Sequence, residues 1–359
     1  MSTALSDLCR YPIVQAPMAG GASCPQLVGA VCEAGGLGFL AGGYKTAGGM
    51  YQEIKQVRGL TAQPFGVNLF MPQCGQAADP AAVEMYRHQL AGEATWYDTE
   101  LGDADTGRDD AFDAKLAILL DDPVPVVSFT FGCPARDTLD AFGRAGTFTI
   151  VTVTSAEEAR TAQRAGADAV CVQGAEAGGH QGTHRDDPDV DLSAGTGLLA
   201  LVTQVRETVQ LPIIASGGLM RGAQIAAVLA AGADAAQLGT AFLVCPESAA
   251  HPLHKQALTN PLFCRTELTR AFSGRPARGL VNRFVREHGP YAPAAYPEVH
   301  HLTAPLRKAA ATAGDAQGMA LWAGQGHRLA RELPAGQLVE VLAAELDTAY
   351  SALAHRSAS

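Results

Sequence analysis

With 359 residues, 47% hydrophobic and 17% charged, and with 39 glycines and 20 prolines, the chain has the make-up of a globular α/β protein rich in tight loops rather than a disordered or coiled-coil one. A net charge of −10 with no clustered Lys or Arg argues against a nucleic-acid partner, because that binding rests on basic groups that neutralise phosphates. No apolar run approaches the roughly 18 residues that cross a bilayer, and Asp7 and Arg10 interrupt the N-terminus where a secretory core would lie, so a cytoplasmic protein with no membrane partner is expected.

The first predicted strand, Pro12 to Ala16, ends in A-P-M-A-G-G, and Pro25 opens a helix that runs to Ala34 and stops at Gly35-Gly36. A strand at Leu37 to Leu40, a helix with Ile54 and Val57 on one face, and a strand at Phe65 to Leu69 follow. Asn68 is the polar residue in that last apolar run. Residues 73–122 break the rhythm. They are rich in Ala, Asp and Glu and predict two or three surface helices, with the acidic pairs Asp109/Asp110 and Asp121/Asp122 solvated rather than catalytic.

The alternation then becomes regular: strand Val126 to Phe131, helix Arg136 to Arg144, strand Thr149 to Val153. A helix begins at Ser155 with Glu158 in capping-box position and leads to strand Ala169 to Val172. Helix Gly195 to Val209, strand Pro212 to Ala215, helix Ala223 to Ala231 and strand Ala235 to Leu238 complete the series. Helices ending in Ala-Gly recur before short apolar strands, as in R-A-G-A-D-A-V-C and A-A-G-A-D-A-A-Q. Eight short, non-alternating strands separated by helices predict parallel strands covered on both faces, closing into a (β/α)8 TIM barrel. A doubly wound open sheet is the alternative. Against it, the first strand–helix turn lacks G-x-G-x-x-G.

The expected organisation is a barrel over residues 1–245, carrying the helical insertion 73–122, and a C-terminal extension over 246–359 that caps the barrel mouth or builds an interface. In the extension, Pro246 to Asn282 reads as mixed helix and loop, and Gly289 to Pro305 is rich in Pro and aromatics. Pro334 to Ala354 reads as an amphipathic helix with Leu338, Val341, Leu342 and Leu346 inward.

The chemistry concentrates in V-C-V-Q-G-A-E-A-G-G-H-Q-G, Val170 to Gly182. Its glycines forbid a stable helix and let backbone approach a ligand, so His180 sits in a loop just past a strand end, placed for acid–base work. In a barrel the loops after strands seven and eight are the usual phosphate site. Here they are A-S-G-G-L, with Ser216, Gly217 and Gly218, and Q-L-G-T, with Gln237, Gly239 and Thr240. Both offer free backbone N–H groups and a hydroxyl. No G-x-x-x-x-G-K-[ST] marks a P-loop, and no G-x-S-x-G marks a serine nucleophile. His180/His184, His251/His254 and His300/His301 lack metal-ligand spacing, so no metal is expected. The cysteines, Cys74 among them, show no C-x-x-C and read as free thiols.

These residues carry a resemblance. Q-A-P-M-A-G-G (Gln15 to Gly21), G-V-N-L-F (Gly66 to Phe70), S-F-T-F-G (Ser128 to Gly132), V-Q-G-A-E-A-G-G-H-Q-G (Val172 to Gly182), A-S-G-G (Ala215 to Gly218), Q-L-G-T-A-F (Gln237 to Phe242) and F-S-G-R-P-A-R-G (Phe272 to Gly279) resemble the class I nitronate monooxygenases. Gln181 departs from the Arg common there, with little consequence expected. The resemblance implies a detoxifying, FMN-dependent oxidation of an alkyl nitronate such as propionate 3-nitronate by O2, giving a carbonyl compound and nitrite. FMN phosphate would lie on Ser216, Gly217, Gly218, Gly239 and Thr240, and the flavin ring against Ala16, Pro17 and Met18. Gly178, Gly179 and Gln237 complete the cofactor site, Asn68 and Gln173 would hydrogen-bond the flavin, and His180 would act as base or anion anchor. Ser273 and Tyr296 are candidates for the substrate pocket. The same G-G-H run occurs in FMN barrels that use NAD(P)H, the quinone and enoyl-acyl-carrier-protein reductases. A flavin-binding module without turnover and a sugar-phosphate barrel also stand as alternatives, and oligomeric state is left open.

Overall fold

The computed structural model describes residues 4–72, 78–189, 191–192 and 194–358. Cys74 lies outside the described residues. Strands β1 (Ile13–Gln15), β2 (Phe39–Ala41), β3 (Gly66–Phe70), β4 (Val126–Thr130), β5 (Phe148–Val153) and β6 (Ala169–Gln173) are six staves of a parallel barrel. A two-residue strand, β7 (Gly179–His180), stands apart, and β8 (Ile213–Ser216) and β9 (Ala235–Leu238) are the remaining staves. Neighbours pair in the order β1-β9-β8-β6-β5-β4-β3-β2. A parallel bridge between Val14 and Leu37 closes the ring, with Gln15 N–H donating to Leu37 O at 2.9 Å and Leu37 N–H to Ile13 O at 3.0 Å. Closure excludes the doubly wound sheet, which needs two free edges.

The staves are short because each is buried on both faces, between helices outside and packed side chains within. Helix boundaries follow local chemistry. Ser155 Oγ accepts from Glu158 N–H, while the Glu158 carboxylate takes the N–H of Thr154, one residue earlier than a capping box requires. Gly166, at φ +96°, ends that helix in the left-handed region a Cβ would disfavour.

The short helix after β9, Thr240–Leu243, is too small to cover the barrel wall. Instead helix Ala335–Ala358 returns about a hundred residues later and packs between Pro25–Glu33 and Gly222–Ala230, the place of the barrel's eighth helix. Approach is so close that a Cβ on Gly222 would lie 2.3 Å from Leu346 N. Leu338, Val339, Leu342, Ala343 and Leu346 face inward, and Val341, expected inward, is only half-buried. Its neighbour Val339 falls on the buried arc instead.

Three helices fill the described part of the insertion: Pro80–Gln89, Ala91–Trp96 and Phe112–Asp121. They are less superficial than their composition predicts. Tyr86 and Leu90 are buried with Phe272, Phe284, Leu302 and Leu306 of the extension in a second apolar core beside the barrel. The stretch read as mixed helix and loop contains a hairpin, β10 (Thr266–Thr269) and β11 (Ala277–Leu280), which pairs antiparallel with β7. T-E-L-T and A-R-G-L carry no apolar alternation, so periodicity does not reveal them.

Candidate active site

A cavity of about 540 Å³ opens at the carboxyl ends of the staves. It is lined by Ala16, Pro17 and Met18 after β1, Asn68 on β3, and Gln173, Gly178, Gly179 and His180 on and after β6. Ser216, Gly217, Gly218, Gln237, Gly239 and Thr240 line it from β8, β9 and the turns that follow them. Topology brings these together, since every stave ends on one face. The N–H groups of Gly217, Gly218 and Gly239 have no hydrogen-bond partner among the described residues. Gly217 and Gly218 hold φ of +143° and +68°, which only glycine adopts without strain. Thr240 Oγ1 accepts from Gly324 N–H at 2.9 Å and keeps its own proton to donate.

Two polar residues have more local work than expected. Gln173 donates from Nε2 to His180 O at 3.0 Å and accepts at Oε1 from Gly182 N–H at 2.7 Å. It therefore braces the glycine loop with both ends of its amide. Asn68 Nδ2 donates to Ser128 Oγ at 2.9 Å and Thr130 Oγ1 at 3.0 Å, which leaves the carbonyl end as its remaining acceptor toward the cavity.

His180 is held from both sides of its chain. Its backbone pairs with Ala277 of β11, and Gln181 N–H donates to Pro276 O at 2.8 Å. Its ring Nε2 lies 2.8 Å from Ser273 Oγ, and that hydroxyl donates onward to Arg275 O at 3.2 Å. With the Ser273 proton on Arg275 O, the serine oxygen accepts from Nε2–H and the imidazole lone pair resides on Nδ1; with that proton given to Nε2, the lone pair that remains is already engaged. Burial, then the Arg275 and Arg307 cations, push the His180 pKa down to about 3. The ring is thus a neutral base. Ser273 and Tyr296, expected to line the substrate pocket, do not line the cavity. Ser273 is 1% exposed beneath His180, and the Tyr296 ring lies edge-on at 5.9 Å from it. The extension packs both against the histidine.

Several site residues were given no role by the sequence. Arg275 is fully buried, with its guanidinium 4.1 Å over the Phe131 ring and donating to the carbonyl of Thr183. Phe131 itself holds φ +75°, an outlier for a bulky residue and a kind of strain that clusters at functional sites. Tyr44, after β2, stacks on His300 at 4.1 Å and 8° and meets the Tyr296 hydroxyl at 3.3 Å. The backbone of Tyr44, at φ +64°, is pinned by Asp110, whose Oδ1 accepts its N–H at 3.0 Å. Asp110 in turn lies 2.8 Å from Lys115 Nζ, a side chain 1% exposed. The expectation of a solvated Asp109/Asp110 pair is corrected for Asp110: burial raises its pKa despite Lys115. Arg307, Trp322 and His254 complete the far wall.

Barrel, loop glycines and a buried neutral histidine beside anion-ready backbone define a (β/α)8 barrel with a ligand site at its carboxyl-end mouth. The nitronate monooxygenase family model matches residues 2–345, and the chain belongs to that family. It is 42% identical over 353 residues to a nitronate monooxygenase of Pseudomonas aeruginosa, covering 94% of this chain and 96% of that protein. A nitroalkane oxidase structure from Streptomyces ansochromogenes is 73% identical with a TM-score of 0.95, covering 98% of this chain and 100% of the other. FabK from Thermotoga maritima is 28% identical with a TM-score of 0.75, covering 99% of both chains. No helix among the described residues is long and apolar enough to cross a membrane.

Proposed function

We propose that this chain oxidises small alkyl nitronates, propionate 3-nitronate among them, with O2, releasing a carbonyl compound and nitrite, and that its cavity holds FMN. The cavity lies within the roughly 300 to 1,000 Å³ usual for ligand sites. The unpartnered N–H groups of Gly217, Gly218 and Gly239, with the hydroxyls of Ser216 and Thr240, fit a phosphate dianion. Ala16, Pro17 and Met18 offer backbone to the flavin ring, with the Asn68 carbonyl as acceptor and Gly178, Gly179 and Gln237 at the edges of the cradle. When bound there, FMN would supply the electron-transfer chemistry between substrate and oxygen.

The observation that carries the reading is His180: a neutral imidazole in the cavity wall, its ring held at Nε2 by Ser273. On a neutral nitroalkane it removes the carbon-bound proton. A nitronate arrives already deprotonated and asks only for placement. Residues 1–245 supply the cofactor site, and residues 246–359 supply the partners that hold His180 and the far wall.

The test is anaerobic mixing of the purified, flavin-loaded protein with an alkyl nitronate, followed by the same reaction in air. Rapid bleaching, then oxygen uptake with nitrite release, is expected, with slow or no bleaching by NADH and NADPH. The likeness to FabK keeps the NAD(P)H-dependent reductase as the second reading. Rapid bleaching by NADH without oxygen uptake on nitronate would hand the assignment to it.

A further inference from the structure

Opposite the glycine turns, the cavity wall carries a cation that the mechanism above does not use. Arg307 lies on helix Glu298–Thr312 and lines the cavity. Its Nε donates to Thr303 Oγ1 at 3.2 Å, and its Nη2 donates to His300 O at 2.9 Å and faces His300 Nδ1 at 3.4 Å. These contacts fix the plane of the guanidinium, and all of them are to neutral groups. His300 accepts at Nδ1 and is clamped by the parallel Tyr44 ring. No carboxylate of the described residues lies within ion-pair distance of Arg307, and Tyr44 is the acidic group that bears on it. Nη1, with two N–H donors, is the one nitrogen of this group without a partner among the described residues.

Removing a cation from water costs several kcal/mol unless an opposite charge compensates it. Several buried or half-buried cations of the chain meet that requirement, Arg270 with Asp186, Arg283 with Glu93 and Lys115 with Asp110, and buried Arg278 spends its Nε and Nη1 on Ala175 O and on Thr266. Arg307 is different because it faces a cavity rather than a carboxylate. Its charge also reaches His180 and His300, both of which it disfavours as cations. The wall therefore gathers one fixed positive charge among neutral imidazoles and phenols, an arrangement matched to a small oxyanion.

We propose that Arg307 is the anion-binding residue of the substrate pocket, taking an oxygen of the nitronate group through Nη1 and so selecting the anionic substrate over its neutral nitroalkane. The proposal rests on the reading of the cavity as a nitronate site, but its chemistry is shared by any small oxyanion, nitrite and nitrate included. Lys308, exposed at the cavity rim, adds to the same field.

The experiment is titration calorimetry of the flavin-loaded protein with sodium nitrate, against chloride at equal ionic strength, for the wild type, Arg307→Met and Arg307→Lys. Charge-assisted hydrogen bonds are worth about 1.5 to 3 kcal/mol, so nitrate affinity should fall about 10- to 100-fold in Arg307→Met and by less in Arg307→Lys. In steady state the same Met variant should raise KM for nitronates by a larger factor than KM for neutral nitroalkanes. Wild-type protein that binds nitrate no better than chloride would overturn the proposal, as would unchanged nitrate affinity in Arg307→Met. If Arg307→Met does not fold, Arg307→Lys carries the test: nitrate affinity and nitrate-over-chloride preference both as in wild type would overturn the proposal, and a loss of either supports it. Arg307-dependent nitrate binding in a protein that oxidises no nitronate would keep the anion site and reject the proposed function.

Discussion

The ring of His180 and the hydroxyl of Ser273 meet at 2.8 Å across 93 residues of sequence, one from the barrel and one from the extension. That contact decides which imidazole nitrogen is a base. Ser273→Ala should keep the fold and the flavin but free the ring to take either tautomer, lowering turnover of neutral nitroalkanes about 10-fold or more, inside the 10²- to 10⁴-fold worth of a positioned base. Ser273→Thr, which keeps a hydroxyl, should recover part of it. Equal kcat in wild type and Ser273→Ala would show that the serine does not set the base.

Three cavity histidines make stability pH-dependent. Burial is the first cause in each, pushing His180 to about 3, His254 to about 4 and His300 to about 2 from an ordinary value of 6.5. Folded, they stay neutral as the pH falls below 6.5; unfolded, they take up protons. Their contribution is therefore fully present above about pH 6.5 and is lost as the pH falls from there to about 4 for His254, about 3 for His180 and about 2 for His300, with a limiting slope of about 1.4 kcal/mol per pH unit for each. Urea unfolding at pH 7.5, 6 and 5 should show the fall, and His300→Phe should make it shallower. A midpoint independent of pH over that range would contradict it.

Asp110→Asn removes the counter-charge of Lys115 at a site where the ammonium is 1% exposed. A loss of about 3 to 5 kcal/mol is expected in chemical denaturation, most of it recovered by adding Lys115→Met. A loss under 1 kcal/mol would mean that the pair is solvated after all.

Gly222→Ala tests the returning helix. The new methyl would meet Leu346 N at 2.3 Å and Leu342 O at 2.5 Å, backbone atoms that move only if helix Ala335–Ala358 moves. Destabilisation of at least about 1 to 3 kcal/mol is expected, as for an overpacked core. An unchanged thermal midpoint would show that the helix sits loosely.

The barrel was legible because each stave is a local apolar run, four of them preceded by Ala-Gly, and the site glycines because strained turns leave a compositional mark. His180 and the turns at Ser216 and Gly239 follow from position alone: in a barrel, what comes after a stave is at the mouth. Arg307 and Tyr44 were not legible, since each enters the cavity from a helix or loop whose local pattern is ordinary, and Arg275 is buried over the Phe131 ring rather than in the lining. Asp110 reads as surface until its buried lysine is seen. The barrel's eighth helix was expected as an amphipathic segment, but its docking between Pro25–Glu33 and Gly222–Ala230 depends on contacts across the whole chain.

The central claim is that neutral substrates depend on the base at position 180 far more than nitronates do. His180→Asn, with flavin content verified, should lower kcat/KM for a neutral nitroalkane by about 10² to 10⁴, and for the preformed nitronate by less than a tenth of that factor. The measurement is initial oxygen uptake on freshly dissolved nitroalkane and on its pre-equilibrated nitronate, side by side. Equal losses on the two would contradict proton abstraction by His180 and make it an anion contact beside Arg307, and no loss on either would remove it from the reaction.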